Sequence, residues 1–159
     1  MIDPSLPCPC GRKLTERLLS YQECCLPYHQ GQLAPDPESL MRSRYSAFVL
    51  KQHQYLIDTH HPDHLNGLSV QILDEDNHTK WLGLSVAKSR VEQDSGLVEF
   101  QAWYQTEEGI DAIHERSSFV KQSGRWWYTQ GKQFAPIYPG RNDPCICNSG
   151  KKFKQCCRG

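Results

Sequence analysis

Eight cysteines carry the strongest chemical signal in the sequence, and they stand near its two ends. Cys8, Cys10, Cys24 and Cys25 form one group and Cys145, Cys147, Cys156 and Cys157 the other, with none between residues 25 and 145. Each group reads Cys-x-Cys, an interval, then Cys-Cys. The likeness extends past sulfur, because Tyr21 stands three residues before Cys24 just as Phe153 stands three before Cys156. This is a repeated module. Neighbouring Cys24 and Cys25 cannot bridge without straining the peptide between them, and a reducing cytosol disfavours a disulfide framework. Two close pairs of thiolates instead suit a tetrahedral zinc ion, with sulfur about 2.3 Å from the metal. Left unligated beside Lys151, Lys152 and Lys154, the C-terminal thiols would be prone to oxidise. The spacing therefore predicts two zinc ions per chain.

The copies differ in one respect. Eight residues separate the two pairs in the C-terminal copy and thirteen in the N-terminal one, where Thr15 to Ser20 looks like an insertion. The longer loop costs only about 0.4 kcal/mol more in closure entropy. The N-terminal site survives that cost, with His29 as an alternative to Cys25 for the fourth ligand.

The segment Pro139-Gly-Arg-Asn-Asp-Pro-Cys145-Ile-Cys147-Asn-Ser-Gly-Lys-Lys-Phe-Lys-Gln-Cys156-Cys157 resembles the SEC-C motif, a small zinc module known from the C-terminal tail of the translocase ATPase SecA. On that resemblance the metal ligands fall on Cys145, Cys147, Cys156 and Cys157. In SecA the module docks an export chaperone and ribosomes, so the resemblance implies a protein or ribosomal partner linked to export or translation. The chain also places Leu40-Met-Arg-Ser-Arg-Tyr-Ser-Ala-Phe48 between its two modules, and as a whole it resembles the YchJ family of bacterial proteins. That likeness implies a central NTF2-like domain and brings no assigned activity with it.

The elements that must position these groups are legible in the middle of the chain. Asp36 before Pro37 is a helix N-cap signal, and Met41, Tyr45, Phe48 and Val49 recur at helical spacing. A second short helix must end before Pro62, and Asp74 to His78 reads as a turn. From Lys80 the period changes to two, with strands around Leu82–Val86, Val98–Tyr104, Ile110–Gln122 and Trp126–Thr129, the last two joined at Ser123-Gly124. Helices followed by a four-stranded meander predict an α+β domain, an NTF2-like cone with helices on one face of a bent sheet. The boundaries read as an N-terminal zinc module at 1–31, the cone at 32–138 and a C-terminal zinc module at 139–159, with Pro/Gly-rich linkers between. The cone is long enough to bury its own core, whereas each module depends on its metal.

Composition excludes several functions. Eighteen basic side chains balance eighteen acidic ones, which gives no global attraction to DNA or to a membrane surface. No apolar run approaches the roughly 20 residues of a membrane span, and the first residues lack a secretory signal pattern, so a cytoplasmic protein is expected. No Ser-His-Asp set, phosphate loop or dinucleotide signature is present. Asp58, His60, His61 and His64 cluster at a helix end, where Asp58 and His61 read more simply as caps before Pro62 and His64 as solvated than as acid/base groups. Alternation sends His114 and Arg116 to one face of their strand and Glu115 to the other, with Arg116 placed to pair with Glu99 across the sheet. Trp126, Trp127 and Tyr128 should divide between core and surface, and Arg42 and Arg44 suggest a helix salt bridge. The C-terminal module is a basic knob on an acidic body, with Lys151, Lys152 and Lys154 as its contact charges. The reading favours a binding or adaptor protein over an enzyme. The alternative is a small-ligand binder or enzyme that uses the cone, with Asp58 or Glu115 in the site.

Overall fold

The computed structural model of the chain describes residues 2–75, 78–147 and 149–157. A small hairpin, β1 (Lys13–Leu14) and β2 (Arg17–Leu18), is followed by the short helix α1 (Leu26–His29). Then come α2 (Pro37–Leu50), α3 (His53–Thr59) and α4 (Val70–Glu75), and four long strands: β3 (Lys80–Glu92), β4 (Ser95–Thr106), β5 (Gly109–Gln122) and β6 (Arg125–Phe134). No helix among the described residues is long and apolar enough to cross a membrane.

Asp36 starts α2 as its place before Pro37 predicts, its Oδ1 accepting the Ser39 N–H at 2.7 Å. The helix stops where Lys51 turns into the left-handed region at φ 61°, and α3 stops ahead of Pro62. Asp74 and Glu75 belong to α4 instead of a turn, and Asp76 and Asn77 of that expected turn lie outside the described residues. Ser69 Oγ accepts from Ile72 N at the start of the helix, and His53 Nδ1 pairs with Asp74, tying α4 back to the start of α3.

The sheet is an antiparallel meander in the order β3-β4-β5-β6. Val98, Phe100 and Ala102 face α2, while Glu99, Gln101 and Trp103 face away, as alternation requires. Register shifts at Trp81/Gly83, Val86/Lys88 and Ser118/Phe119 bend the strands around the helices. β6 runs to Phe134, beyond the expected end at Thr129, because its polar stretch Gln130 to Gln133 still pairs with β5.

Two apolar clusters hold the molecule together. The larger joins Leu40, Met41 and Tyr45 of α2 to Val98, Phe100, Phe119 and Trp126 of the sheet, and it includes Cys8, Cys10, Tyr21, Cys24 and Cys25. The smaller, on the opposite face of the sheet, joins Trp103 and Ala112 to Cys145, Ile146 and Phe153. Trp103 and Phe119 are fully buried, each contributing roughly 1.5–3 kcal/mol by area removed from water. Both faces of the sheet are therefore covered, one by helices and the other in part by the C-terminal module.

Candidate metal centres and the central cavity

The two cysteine groups fold into the same hydrogen-bonded frame. Cys8 N donates to Leu19 O at 2.9 Å, and Cys145 N donates to Lys151 O at 2.9 Å. Tyr21 N donates to Leu6 O and Phe153 N to Asp143 O, both at 2.8 Å. Gln22 N reaches Pro4 O and Lys154 N reaches Arg141 O, at 2.9 and 3.0 Å. Antiparallel bridges join Pro7 to Ser20 and Pro144 to Lys152. In each copy a buried ring, Tyr21 or Phe153, anchors the turn that carries the second cysteine pair. The extra residues of the N-terminal copy make the β1–β2 hairpin, which stands outside this frame.

In each copy the four sulfurs lie within 4.8 Å of one another. Cys10–Cys24 and Cys24–Cys25 are 3.5 and 3.8 Å apart, and Cys145–Cys147 and Cys147–Cys156 are 3.5 and 3.4 Å. A tetrahedral ion with metal–sulfur bonds of about 2.3 Å sets its sulfurs about 3.8 Å apart, so both groups fit such an ion. These separations are far too long for disulfide bonds, and all eight thiols are free. Four sulfurs this close cannot all carry charge without a cation between them. The contact with Cys10, then those with Cys24 and Cys8, push the Cys25 thiol far up. Burial, followed by contacts with Cys145 and Cys147, pushes Cys157 up as well. His29 is not a ligand: its Nδ1 accepts from the Tyr21 hydroxyl at 2.6 Å and its Nε2 donates to Ser43 O at 2.8 Å.

The surroundings of the copies differ. All four N-terminal cysteines are buried, and α2 closes the site. Ser46 Oγ donates to Cys25 Sγ at 3.3 Å and touches Cys8 Sγ at 3.5 Å. Arg42 Nη1 donates to Cys10 O at 3.0 Å while its Nε bonds Glu38 at 2.8 Å, the expected helix salt bridge. Nothing in the local sequence singles out Ser46, whose partners lie 21 and 38 residues away. In the C-terminal copy only Cys145 is buried, and Cys147, Cys156 and Cys157 are half-buried. That module sits on β3, where a Cβ at Gly83 would lie 1.9 Å from Ile146 O. Lys151 and Lys152 are exposed and Lys154 half-buried, and none of the three forms an ion pair among the described residues.

The helices and the concave face of the sheet enclose a cavity of about 570 Å³. Arg44, His60, Glu115, Ser117 and Tyr128 line it beside Tyr45, Phe48, Trp81 and Tyr104. Arg44 does not form the helix salt bridge its sequence suggests. It is buried, with Nη1 donating to Leu56 O at 2.8 Å and Thr59 Oγ1 at 2.7 Å and its guanidinium 4.5 Å from the centre of the Tyr128 ring. Glu115 faces the cavity, and His114 and Arg116 bond Glu99 on the other face, each on the side that alternation predicts. Asp58 is absent from the cavity: it is exposed and accepts from Gln54 at 2.8 Å. His61 caps the turn after α3 by accepting from Asp63 N. Trp126 is buried, Trp127 lies under the Arg125 guanidinium at 4.0 Å, and Tyr128 turns inward, so the three aromatics divide as expected.

Known proteins share this architecture. The family model for the YchJ middle NTF2-like domain matches residues 36–131, and the SEC-C motif matches residues 141–159. A SEC-C motif containing protein from Psychrobacter arcticus superposes with a TM-score of 0.71 at 34% identity, over 98% of this chain and 97% of that one. Another, from Rhodopseudomonas palustris, gives a TM-score of 0.70 at 32% identity, over 79% of this chain and 97% of that one. The UPF0225 proteins of Shewanella sp. strains MR-4 and MR-7 are each 51% identical over 160 residues, which is 94% of this chain and 94% of each relative. An NTF2-like body, a C-terminal SEC-C motif and this identity along nearly the whole length make the chain a member of the YchJ family, the UPF0225 proteins.

Proposed function

We propose that the chain is a cytoplasmic zinc protein that works by binding, its C-terminal module docking a ribosomal or acidic protein partner. The carrying observation is the contrast in exposure: one sulfur cluster is sealed under α2, while the other holds up a loop with two exposed lysines and a third half-buried. The choice of zinc rests on the donor set, since a compact tetrahedron of four thiolates is a structural zinc arrangement. Cys8, Cys10, Cys24 and Cys25 would hold one ion, and Cys145, Cys147, Cys156 and Cys157 the other. Four sulfurs fill the coordination sphere and leave no position for a reactive water, which argues against catalysis at the metal. The lysines are not ligands, so they are free to meet an acidic surface.

Two measurements test this reading. Elemental analysis of protein purified without chelator should give two zinc ions per chain, and one per chain would remove the N-terminal site from the proposal. The variant K151E/K152E/K154E should keep its zinc, because no thiolate is lost. Its co-sedimentation with purified ribosomes at low salt should fall sharply, and wild-type binding should already weaken toward physiological salt as exposed charges are screened. Equal co-sedimentation of wild type and variant would overturn the docking role of these lysines on ribosomes.

A further inference from the structure

The floor of the central cavity holds two groups whose hydrogen-bonding capacity the fold leaves partly unused. Arg44 is only 8% exposed, yet among the described residues every hydrogen bond it makes runs through Nη1, and no carboxylate pairs with it. Burial lowers the guanidinium to about 10, which leaves it charged at neutral pH. A buried charge without an ionic partner is costly. Among the described residues His60, also 8% exposed, has no well-aligned hydrogen-bond partner for either Nδ1 or Nε2, with only the backbone of His64 and Thr129 nearby. Its ring meets Tyr128 edge-on at 4.9 Å, so it rests on the same ring as Arg44. Burial, then the Arg44 charge, lower its imidazole, and the neutral ring offers one donor and one acceptor.

Glu115 supports the Arg44 charge from a distance but forms no ion pair with it. Its oxygens are engaged by the hydroxyls of Ser117 and Tyr128 and by Gln133 Nε2. Gly131 makes room for this carboxylate, since a Cβ there would lie 2.2 Å from Glu115 Cδ. Glu115 thus holds the Tyr128 hydroxyl and fixes the ring against which Arg44 and His60 sit. The walls are of another kind. Trp81 meets Tyr45, Phe48 and Tyr104 at ring distances of 5.8, 6.1 and 5.9 Å, forming an aromatic cage that opens onto the same space.

We propose that this cavity binds a small carboxylic acid with an apolar or aromatic body, its carboxylate on Arg44 and His60 and its body against Trp81 and its aromatic neighbours. Guanidinium and carboxylate match in shape and charge, and the volume is that of a small-molecule site. The inference is independent of the docking role, because none of its residues belongs to a sulfur cluster.

The test uses the full-length, metal-loaded protein and three probes: 3-phenylpropionate, its neutral counterpart 3-phenylpropan-1-ol, and acetate. Binding is read from the indole N–H resonance of Trp81, assigned by its loss in W81F. Saturable shifts are expected for 3-phenylpropionate with a dissociation constant of about 1 mM or below. The alcohol and acetate should each bind at least about tenfold more weakly, the first for want of charge and the second for want of an apolar body. R44M should abolish the preference for acid over alcohol. Because the three probes are compared on wild-type protein, the result stands even if R44M fails to fold. No saturable shift with 3-phenylpropionate, or equal affinity for the alcohol, overturns the proposal.

Discussion

The two cysteine modules share a frame and differ in their mounting. Bond for bond, the Cys8–Cys25 and Cys145–Cys157 frames match, from the amide of the first cysteine to the turn before the last pair. The N-terminal copy, however, lies in the same apolar cluster as α2 and the concave sheet face, with Ser46 and Arg42 bonded to it. The C-terminal copy touches the opposite face through Ile146, Phe153 and Trp103 and stays half-open. Local sequence sets the geometry of a four-sulfur site, and the surface it leans on sets how strongly that site is coupled to the rest of the fold.

The sharpest way to break this contrast is to remove one thiolate from each copy. Cys10→Ser should release one metal ion and lower the main unfolding transition, because the site is part of the principal core. A loss on the order of 3–5 kcal/mol is expected, as for other buried clusters left with uncompensated charge. Cys147→Ser should release the other ion and leave the main calorimetric transition nearly in place. Equal losses of melting temperature would mean that the two copies are equally integral. In hydrogen exchange with EDTA present, amides of β4 and β5 should stay protected while those of the C-terminal module exchange.

A smaller effect should follow from the mounting itself. Gly83→Val would drive a side chain into the Ile146 carbonyl and should cost about 1–3 kcal/mol through overpacking. The N-terminal site should keep its metal, and exchange should rise only around residues 141–157. Smaller again, Ser46→Ala removes a hydroxyl from Cys25 Sγ and should cost about 1 kcal/mol. Competition with a chelator should show N-terminal metal affinity reduced by roughly 10–100-fold, as for other groups that orient metal ligands, with the C-terminal site unchanged.

The smallest difference lies on the surface. Hydrogen bonding from Arg17, then from Ser20, lowers Glu23 to about 2, whereas the matching position in the other copy is the uncharged Gln155. A carboxylate held down in the folded state stabilises it above its unfolded value, and that contribution is lost as pH falls toward 2. Carboxyl resonances should therefore show Glu23 titrating near 2 while the C-terminal frame is unaffected. A normal midpoint would mean that the Arg17 contact is absent in solution.

Much of this was legible because it is local. Cys-x-Cys and Cys-Cys pairs, the Asp36-Pro37 start and the alternation of Val98 to Tyr104 each declare themselves within a few residues. Arg44 is different: beside Arg42 it reads as a second surface charge, and only the return of Leu56, Thr59 and Tyr128 makes it a buried cation. Asp58, expected as a cap and alternatively as a pocket acid, is neither, since α3 turns it outward and it accepts from Gln54 on its own helix. α4 was hidden because only its last two residues, Asp74 and Glu75, fall in the acidic stretch read as a turn, and its contact with His53 is 21 residues away in sequence. Gly83 and Gly131 carry no local sign that a backbone or a carboxylate will be laid against them.

The β1–β2 hairpin has a practical consequence. It adds five residues, since eight stand between Cys10 and Leu19 where the other copy spends three between Cys147 and Lys151, without altering the frame on either side. Its tip, Thr15 and Glu16, is exposed, and Thr15 already sits at φ 60°, a conformation that suits a β-branched residue poorly. The chain thus carries a ready-made graft point. A spectroscopic tag or a short epitope threaded between Leu14 and Arg17 would ride on the buried sulfur cluster and report on it, with every ligand and every contact to α2 left in place.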